Sequence, residues 1–313
     1  MTASPAAKIV VTGAAGLVGQ NLLPRLSGRN YDIVAIDKHP DNCAILRRLH
    51  PSVTVLECDM AVDQGWQSIV SDADTIVVGH AQIGGLNHDA FVANNLLATE
   101  RLLEAAAARA PYLIHISSSV VNSTAQDWYT DTKRAQEELI VRSGLPSVVL
   151  RPTLMFGWFD RKHLGWLARF MKHMPVFPIP GDGRYLRQPL YAGDFCDIIL
   201  SCIEQRPPEQ AYNISGLERI AYIELMRAVK KACGARSRIV RLPYRLFWML
   251  LSVYGAFDRN PPFTTKQLEA LILPEIFEVI DWPGIFKVSP TPLQTAIDET
   301  FKHPIYSQIV LSF

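Results

Sequence analysis

The sequence predicts an α/β fold: a doubly wound parallel sheet with a smaller, mostly C-terminal lobe. Three observations point there. A β-branched run at Ile9–Val11 leads into Gly13, Gly16 and Gly19, which open a helical pattern through Leu22, Leu23 and Leu26. Strand-like and helix-like stretches then alternate through the first half, as they do where parallel strands carry helices on both faces. Finally, 313 residues that are 49% hydrophobic and 19% charged supply ample core and exclude a disordered chain.

Taken in order, the first strand–turn–helix has the form of a Rossmann-type dinucleotide site. Gly13 allows the sharp turn, Gly16 lets backbone approach a pyrophosphate, and Gly19 lets helix and sheet pack closely. The diphosphate would sit on free N–H groups at the positive end of the helix. A second strand, Tyr31–Ile36, ends in Asp37. An acid about 20 residues past the glycines is placed to grip the adenosine ribose hydroxyls. It would also repel a 2′-phosphate, which favours NAD over NADP, although Lys38 beside it softens that bias. A helical pattern around Ala44–Leu49 precedes the strand Val53–Leu56, with Asp59 just beyond it. Thr75–Val78 reads as the fourth strand, followed by His80-Ala81-Gln82, and Ala90–Ala107 as a helix.

The fifth strand, Tyr112–Ile116, runs into Ser117-Ser118-Ser119, and eleven residues after Ser118 stands Tyr129. Tyr129 and Lys133 are four apart, so phenol and ammonium share one helix face. None of the other nine tyrosines has a lysine at that spacing. The sixth strand, Val148–Leu150, ends in Arg151-Pro152-Thr153-Leu-Met-Phe-Gly157. His163–His173 reads as a helix, Pro175–Gly183 as a proline- and glycine-rich loop, and Tyr212–Gly216 as a short strand before a last pair of helices.

The G-x-x-G-x-x-G spacing, the ribose acid, the serine strand and Tyr129-Thr-Asp-Thr-Lys133 together resemble the short-chain dehydrogenase/reductase family. The resemblance is in particular to its extended branch, which handles sugar nucleotides, and it spans essentially the whole chain. Asn95-Leu-Leu-Ala-Thr-Glu-Arg-Leu-Leu103 is similar to a family helix, with Arg101 replacing its second asparagine. The resemblance implies a catalytic set of Ser118, Tyr129 and Lys133. It implies cofactor contacts from Gly13, Ala15, Gly16, Leu17, Val18, Asp37, Asp59, Met60, His80, Ala81, Asn95, Tyr129 and Lys133. Asp59 would bond the adenine amino group, a helix N-cap being its plain alternative. His80 departs from the family's alanine pair and is kept out of the catalytic set. Ser119 and Arg187 would touch substrate, Arg187 through a diphosphate.

The implied chemistry is hydride transfer to NAD. Lys133 is expected to make the Tyr129 phenol acidic enough to take a hydroxyl proton, with Ser118 bonding the substrate oxygen. Ser119 and Val120 stand where a dehydratase needs an acid/base pair. The expectation is therefore an NAD-dependent epimerase, at C4, of a nucleotide- or carrier-diphosphate-linked sugar, working through a transient keto intermediate. The alternatives are a dehydrogenase or reductase of a ketosugar or sterol-like alcohol, and a non-catalytic NAD sensor. Residues 1–155 would form the cofactor domain with 185–203 returning to it, while 156–184 and 204–313 form the substrate lobe.

A net charge of +1 makes no electrostatic case for nucleic acid. Cys43, Cys58, Cys196, Cys202 and Cys233 are scattered, and no metal site is expected. Met1–Ala7 lacks a signal-peptide pattern, and no apolar run reaches bilayer length. The expected setting is cytoplasmic, as a homodimer. Missing from the tail is the family's late Arg-x-Gly-Asp; Phe263–Leu271 instead resembles epimerases of carrier-linked sugars and hydroxysteroid dehydrogenases. Tyr244–Phe257, rich in aromatics and preceded by Arg236, Arg238 and Arg241, reads either as a helix in the core or a dimer interface, or as a weak membrane-surface contact.

Overall fold

The computed structural model describes residues 6–257, 265–273 and 275–312. Met1–Pro5, and the start of the Phe263–Leu271 string, lie outside the described residues.

Short β-branched runs become strands wherever both faces are covered. β1 (Ala7–Thr12), α1 (Leu17–Leu26), β2 (Tyr31–Asp37), α2 (Pro40–Leu49) and β3 (Thr54–Glu57) follow in order. Next come α3 (Gln67–Val70), β4 (Thr75–Val78) and α4 (His88–Phe91). The single helix expected over Ala90–Ala107 is instead the end of α4, a π-helical stretch at Val92–Leu97, and α5 (Ala98–Ala106). β5 (Tyr112–Ile116), α6 (Trp128–Arg142) and β6 (Ser147–Pro152) complete the first half.

The second half adds β7 (Met155–Phe156), α7 (Leu164–His173), β8 (Val176–Pro180), β9 (Leu186–Arg187) and β10 (Leu190–Tyr191). α8 (Ala192–Gln205), β11 (Ala211–Ile214), β12 (Ile220–Ala221), α9 (Tyr222–Cys233) and β13 (Arg238–Leu242) follow. The chain closes with α10 (Tyr244–Phe257), α11 (Thr265–Ile272), α12 (Trp282–Phe286) and α13 (Leu293–Lys302).

The main sheet has seven strands, all parallel, in the order β11-β6-β5-β4-β1-β2-β3. Val10 in β1 lies between Val34 of β2 and Ile76 of β4, so strand order reverses there. In open α/β sheets such a reversal opens a crevice at the carboxyl ends of the strands, where ligands bind. Leu22, Leu23 and Leu26 of α1 pack with Phe195 and Ile199 of α8 on one face. Trp66, Val70, Leu102 and Ile140 cover the other. Burying each α1 leucine contributes about 1.5–3 kcal/mol, against roughly 1 kcal/mol for a helix cap. Packing therefore holds α1, and its N-terminus is left to glycine.

A second core joins Leu164, Met171, Phe177, Ile179, Tyr222, Met226, Val229 and Ile297. Pro175–Gly183 is not simply a loop: β8 pairs in parallel with β13. Phe177 and Ile179 point inward in alternation, a period hidden in the sequence by Pro178 and Pro180. β11, beyond the 204 boundary, is the edge strand of the main sheet, and Trp282 and Phe286 of α12 pack into that sheet's core.

Candidate active site

The glycine turn leaves β1 at Gly13, whose φ is +64°, and a Cβ there would lie 2.6 Å from the Gly79 carbonyl oxygen. Only glycine fits that crossing of the first and fourth strand ends. At Gly19 a Cβ would meet the Ala14 carbonyl oxygen at 2.3 Å, which ties the α1 backbone closely to the loop. Gly16 is the N-cap of α1 and has no side chain to cap it. First-turn N–H groups around Leu17 and Val18 are thus positioned for an anion.

Asp37 closes β2 beside this loop. Its Oδ2 accepts from the Ala15 N–H at 2.9 Å, and its Oδ1 from the His39 N–H at 3.0 Å. Lys38 is not idle beside it: its ammonium donates to Asp59 Oδ2 at 3.0 Å and to Asn94 Oδ1 at 2.6 Å. Partial burial works against ionisation of Asp59, but Lys38 and the Ala61 N–H outweigh it and hold the carboxyl below its ordinary range. Arg101 braces the same turn, bonding the carbonyls of Met60 at 2.8 Å and Asp63 at 2.7 Å above the Trp66 ring. A glycine turn with an oriented carboxylate and an uncapped helix start fits a dinucleotide.

The serine strand and α6 meet across the crevice. Ser118 ends the extended chain after β5 and caps the short turn Ser119–Asn122, its Oγ accepting from the Val120 N–H at 3.4 Å. Asp127 caps α6 through the Thr130 N–H at 2.9 Å, which sets Tyr129 in the first turn. The Ser118 hydroxyl lies beside the Tyr129 phenol and favours its ionised form. Burial raises the phenol above its ordinary value and Asp127 adds to this, while the Ser118 hydroxyl opposes both.

Lys133 is 1% exposed, and burial brings its ammonium down to about 7 although Glu137 works the other way. Its Nζ donates to the Ile116 carbonyl at 2.8 Å and to Gln136 Oε1 at 2.6 Å. In this arrangement those two oxygens engage the ammonium, and burial outweighs the Ser118 hydroxyl in setting the direction of the Tyr129 phenol. Gln136 went unnoticed in the sequence. Its Nε2 donates to Thr99 Oγ1 at 2.8 Å, and that hydroxyl lies 2.9 Å from His80 Nε2. His80 Nδ1 reaches Thr12 Oγ1 at 2.8 Å. Burial, helped by the nearby Lys133 charge, pushes the imidazole down to about 3, so it is neutral.

Asn95, fully buried in the π-helical stretch, accepts from the Gln82 N–H at 2.6 Å and donates to Thr132 Oγ1 at 2.9 Å. It thereby ties the Ala81–Gln82 loop to α6. Arg187 sits elsewhere in its bonding: its guanidinium donates to the carbonyls of Leu273, at 2.8 Å, and Leu271, between Tyr185 and Tyr222 rings. Its side chain thus anchors the end of α11. Ser119 lies in the short turn after Ser118, half-buried. No cluster of metal ligands occurs among the described residues.

A model of the NAD dependent epimerase/dehydratase family matches residues 9–215. Low-salt glycan biosynthesis protein Agl12 of Haloferax volcanii is 28% identical over 261 residues, covering 72% of this chain and 82% of that protein. The 3 beta-hydroxysteroid dehydrogenase/Delta 5→4-isomerase of Mycobacterium tuberculosis is 26% identical over 274 residues, 75% of this chain and 72% of that one. In fold, UDP-glucuronic acid 4-epimerase from Bacillus cereus, solved with NAD, superposes with a TM-score of 0.71 at 21% identity. That match covers 95% of this chain and 98% of the other.

Proposed function

The chain belongs to the NAD dependent epimerase/dehydratase family, and we propose that it epimerises C4 of a sugar linked by diphosphate to a nucleotide or another carrier. It is an NAD-dependent enzyme of the extended short-chain dehydrogenase/reductase type. The observation that carries the finer reading is Ser118, just past the carboxyl end of β5, beside Tyr129 in the first turn of α6. Ser119 and Val120 beside it offer no acid/base pair for dehydration. Agl12, a glycan biosynthesis protein by its name, supports a sugar substrate.

The chemistry NAD supplies when bound is acceptance of a hydride from one carbon and its return. Tyr129 Oη, held as the phenolate by the positive charges of Lys133 and of the oxidised cofactor when bound, takes the substrate hydroxyl proton as the carbon–oxygen bond becomes a carbonyl, and gives it back when the alcohol re-forms. Ser118 donates to that oxygen as charge builds on it. Epimerisation follows when the keto sugar turns over before the hydride returns. Asp37 would hold the adenosine ribose and the 13–18 loop the diphosphate, with Lys133 one turn of α6 beyond Tyr129. The same reading sets the enzyme in the cytoplasm as a homodimer. Five unpaired thiols support a reducing compartment, and light scattering tests the dimer.

The test begins with the purified protein's absorbance and its bound nucleotide. Tightly held NAD, and a C4 epimer seen by NMR in a screen of sugar diphosphates, support epimerisation. Tyr129→Phe should lower turnover by about 100- to 10,000-fold while NAD affinity stays unchanged. A wild-type rate in that variant overturns the mechanism. The second reading, net oxidation or reduction of a ketosugar or sterol-like alcohol, is favoured by the likeness to the hydroxysteroid dehydrogenase. It predicts stoichiometric consumption of added cofactor and no epimer.

A further inference from the structure

α10 is amphipathic the wrong way round for a helix facing water. Phe247 is buried, yet Leu246, Met249, Leu250 and Val253 are 40–54% exposed. Those four fall at i, i+3, i+4 and i+7, one continuous stripe. Trp248 beside it is 42% exposed, with its indole N–H on Glu269 Oε1 at 3.3 Å. A stripe of this kind needs an apolar partner.

The charge beside it says which. From Leu225 to Phe257 the sequence holds seven Lys and Arg and neither Asp nor Glu, in a chain whose net charge is +1. α9 and β13, which lead into α10, form an open groove of about 840 Å³ lined by Arg227, Lys230, Lys231, Arg238 and Arg241. Only Arg227 among these five makes an ion pair among the described residues, with Glu224 at 2.5 Å. Arg245 is exposed on the first turn of α10. No described helix is long and apolar enough to cross a membrane.

We propose that α10 and the cationic groove beside it form a docking surface for an anionic lipid bilayer. The apolar stripe enters the headgroup boundary to about 5–10 Å, while the arginines and lysines meet lipid phosphates. A second copy of this chain fits less well, because a two-fold contact through the stripe would set one cationic cluster against another. Nucleic acid would answer the groove and leave the stripe in water. This surface does not depend on which reaction the site performs.

The full chain is to be floated with vesicles of phosphatidylcholine, alone or mixed with phosphatidylglycerol. Binding at least about tenfold stronger to the mixed vesicles is expected, and high salt should release it. Leu250→Glu should abolish flotation while thermal unfolding stays cooperative, and Arg241→Glu should weaken it. Met249→Ser serves if Leu250→Glu does not fold. Flotation that ignores lipid charge, survives Leu250→Glu or is absent overturns the proposal. So does a soluble dimer split by Leu250→Glu, or retention on a DNA duplex in place of vesicles.

Discussion

His80 stands where an alanine pair was expected, and its surroundings explain how an imidazole is accommodated. Thr12 and Thr99 hydroxyls bracket the ring at 2.8 and 2.9 Å, and Gln136 links that pair to the Lys133 ammonium. The ring is neutral in the fold, with its pKa lowered from 6.5 to about 3. Between those values the unfolded chain binds the proton and the folded one does not. The ring's contribution to stability is thus fully present above about pH 6.5 and is lost as pH falls toward 3. His80→Asn, which cannot titrate, should show a flatter loss of stability over that window in urea midpoints. Parallel curves for the two proteins would mean that the ring is charged or solvated in the fold.

At the scale of elements, two short segments do more than connect. The π-helical stretch Val92–Leu97 carries Asn95 inward, where one amide joins the loop after β4 to α6. π-Turns inside helices cluster at functional sites because their extra residue re-aims a side chain. Arg187, at the end of β9, holds α11 by its last carbonyls. Hydrogen bonds from a charged donor are worth about 1.5–3 kcal/mol. Arg187→Ala should therefore lower the melting temperature by roughly 3–12 °C, at about 2–4 °C per kcal/mol. A variant that melts with the wild type but binds substrate more weakly would return Arg187 to the diphosphate.

For the whole molecule, the reversal of strand order between β1 and β4 opens the crevice in which the proposed cofactor site lies. Gly13, Asp37 and the Ala81–Gln82 loop come from three strand ends that only this topology gathers. Asp37 is the acid proposed for the ribose, and its neighbour Lys38 is already bonded to Asp59 and Asn94. The cation that would welcome a 2′-phosphate is therefore engaged. NAD at a hundred times its dissociation constant should stabilise the fold by about 2.7 kcal/mol, and NADP at the same concentration by clearly less. Thermal unfolding with each dinucleotide checks this, and an equal or larger shift with NADP would reverse the preference.

Local chemistry was enough to read the main strands, the glycine turn, the acid closing β2 and the shared helix face of Tyr129 and Lys133, while the proposal of Ser118 beside them came from the family resemblance. Each of the local readings depends on neighbours close in sequence: β-branched runs, an acid at a strand end, two side chains one helical turn apart. Where the chain meets itself over long distances, the sequence was silent. Gln136 is only three residues from Lys133, but nothing near the lysine announces that its ammonium also turns to the Ile116 carbonyl, which β5 presents only after packing. The pairing of β8 with β13 is hidden likewise, since prolines mask the strand and its partner lies some sixty residues away. The outward stripe of α10 is the clearest case. Composition marks Tyr244–Phe257 as apolar, but which side chains meet solvent is decided by the face that the rest of the protein leaves uncovered.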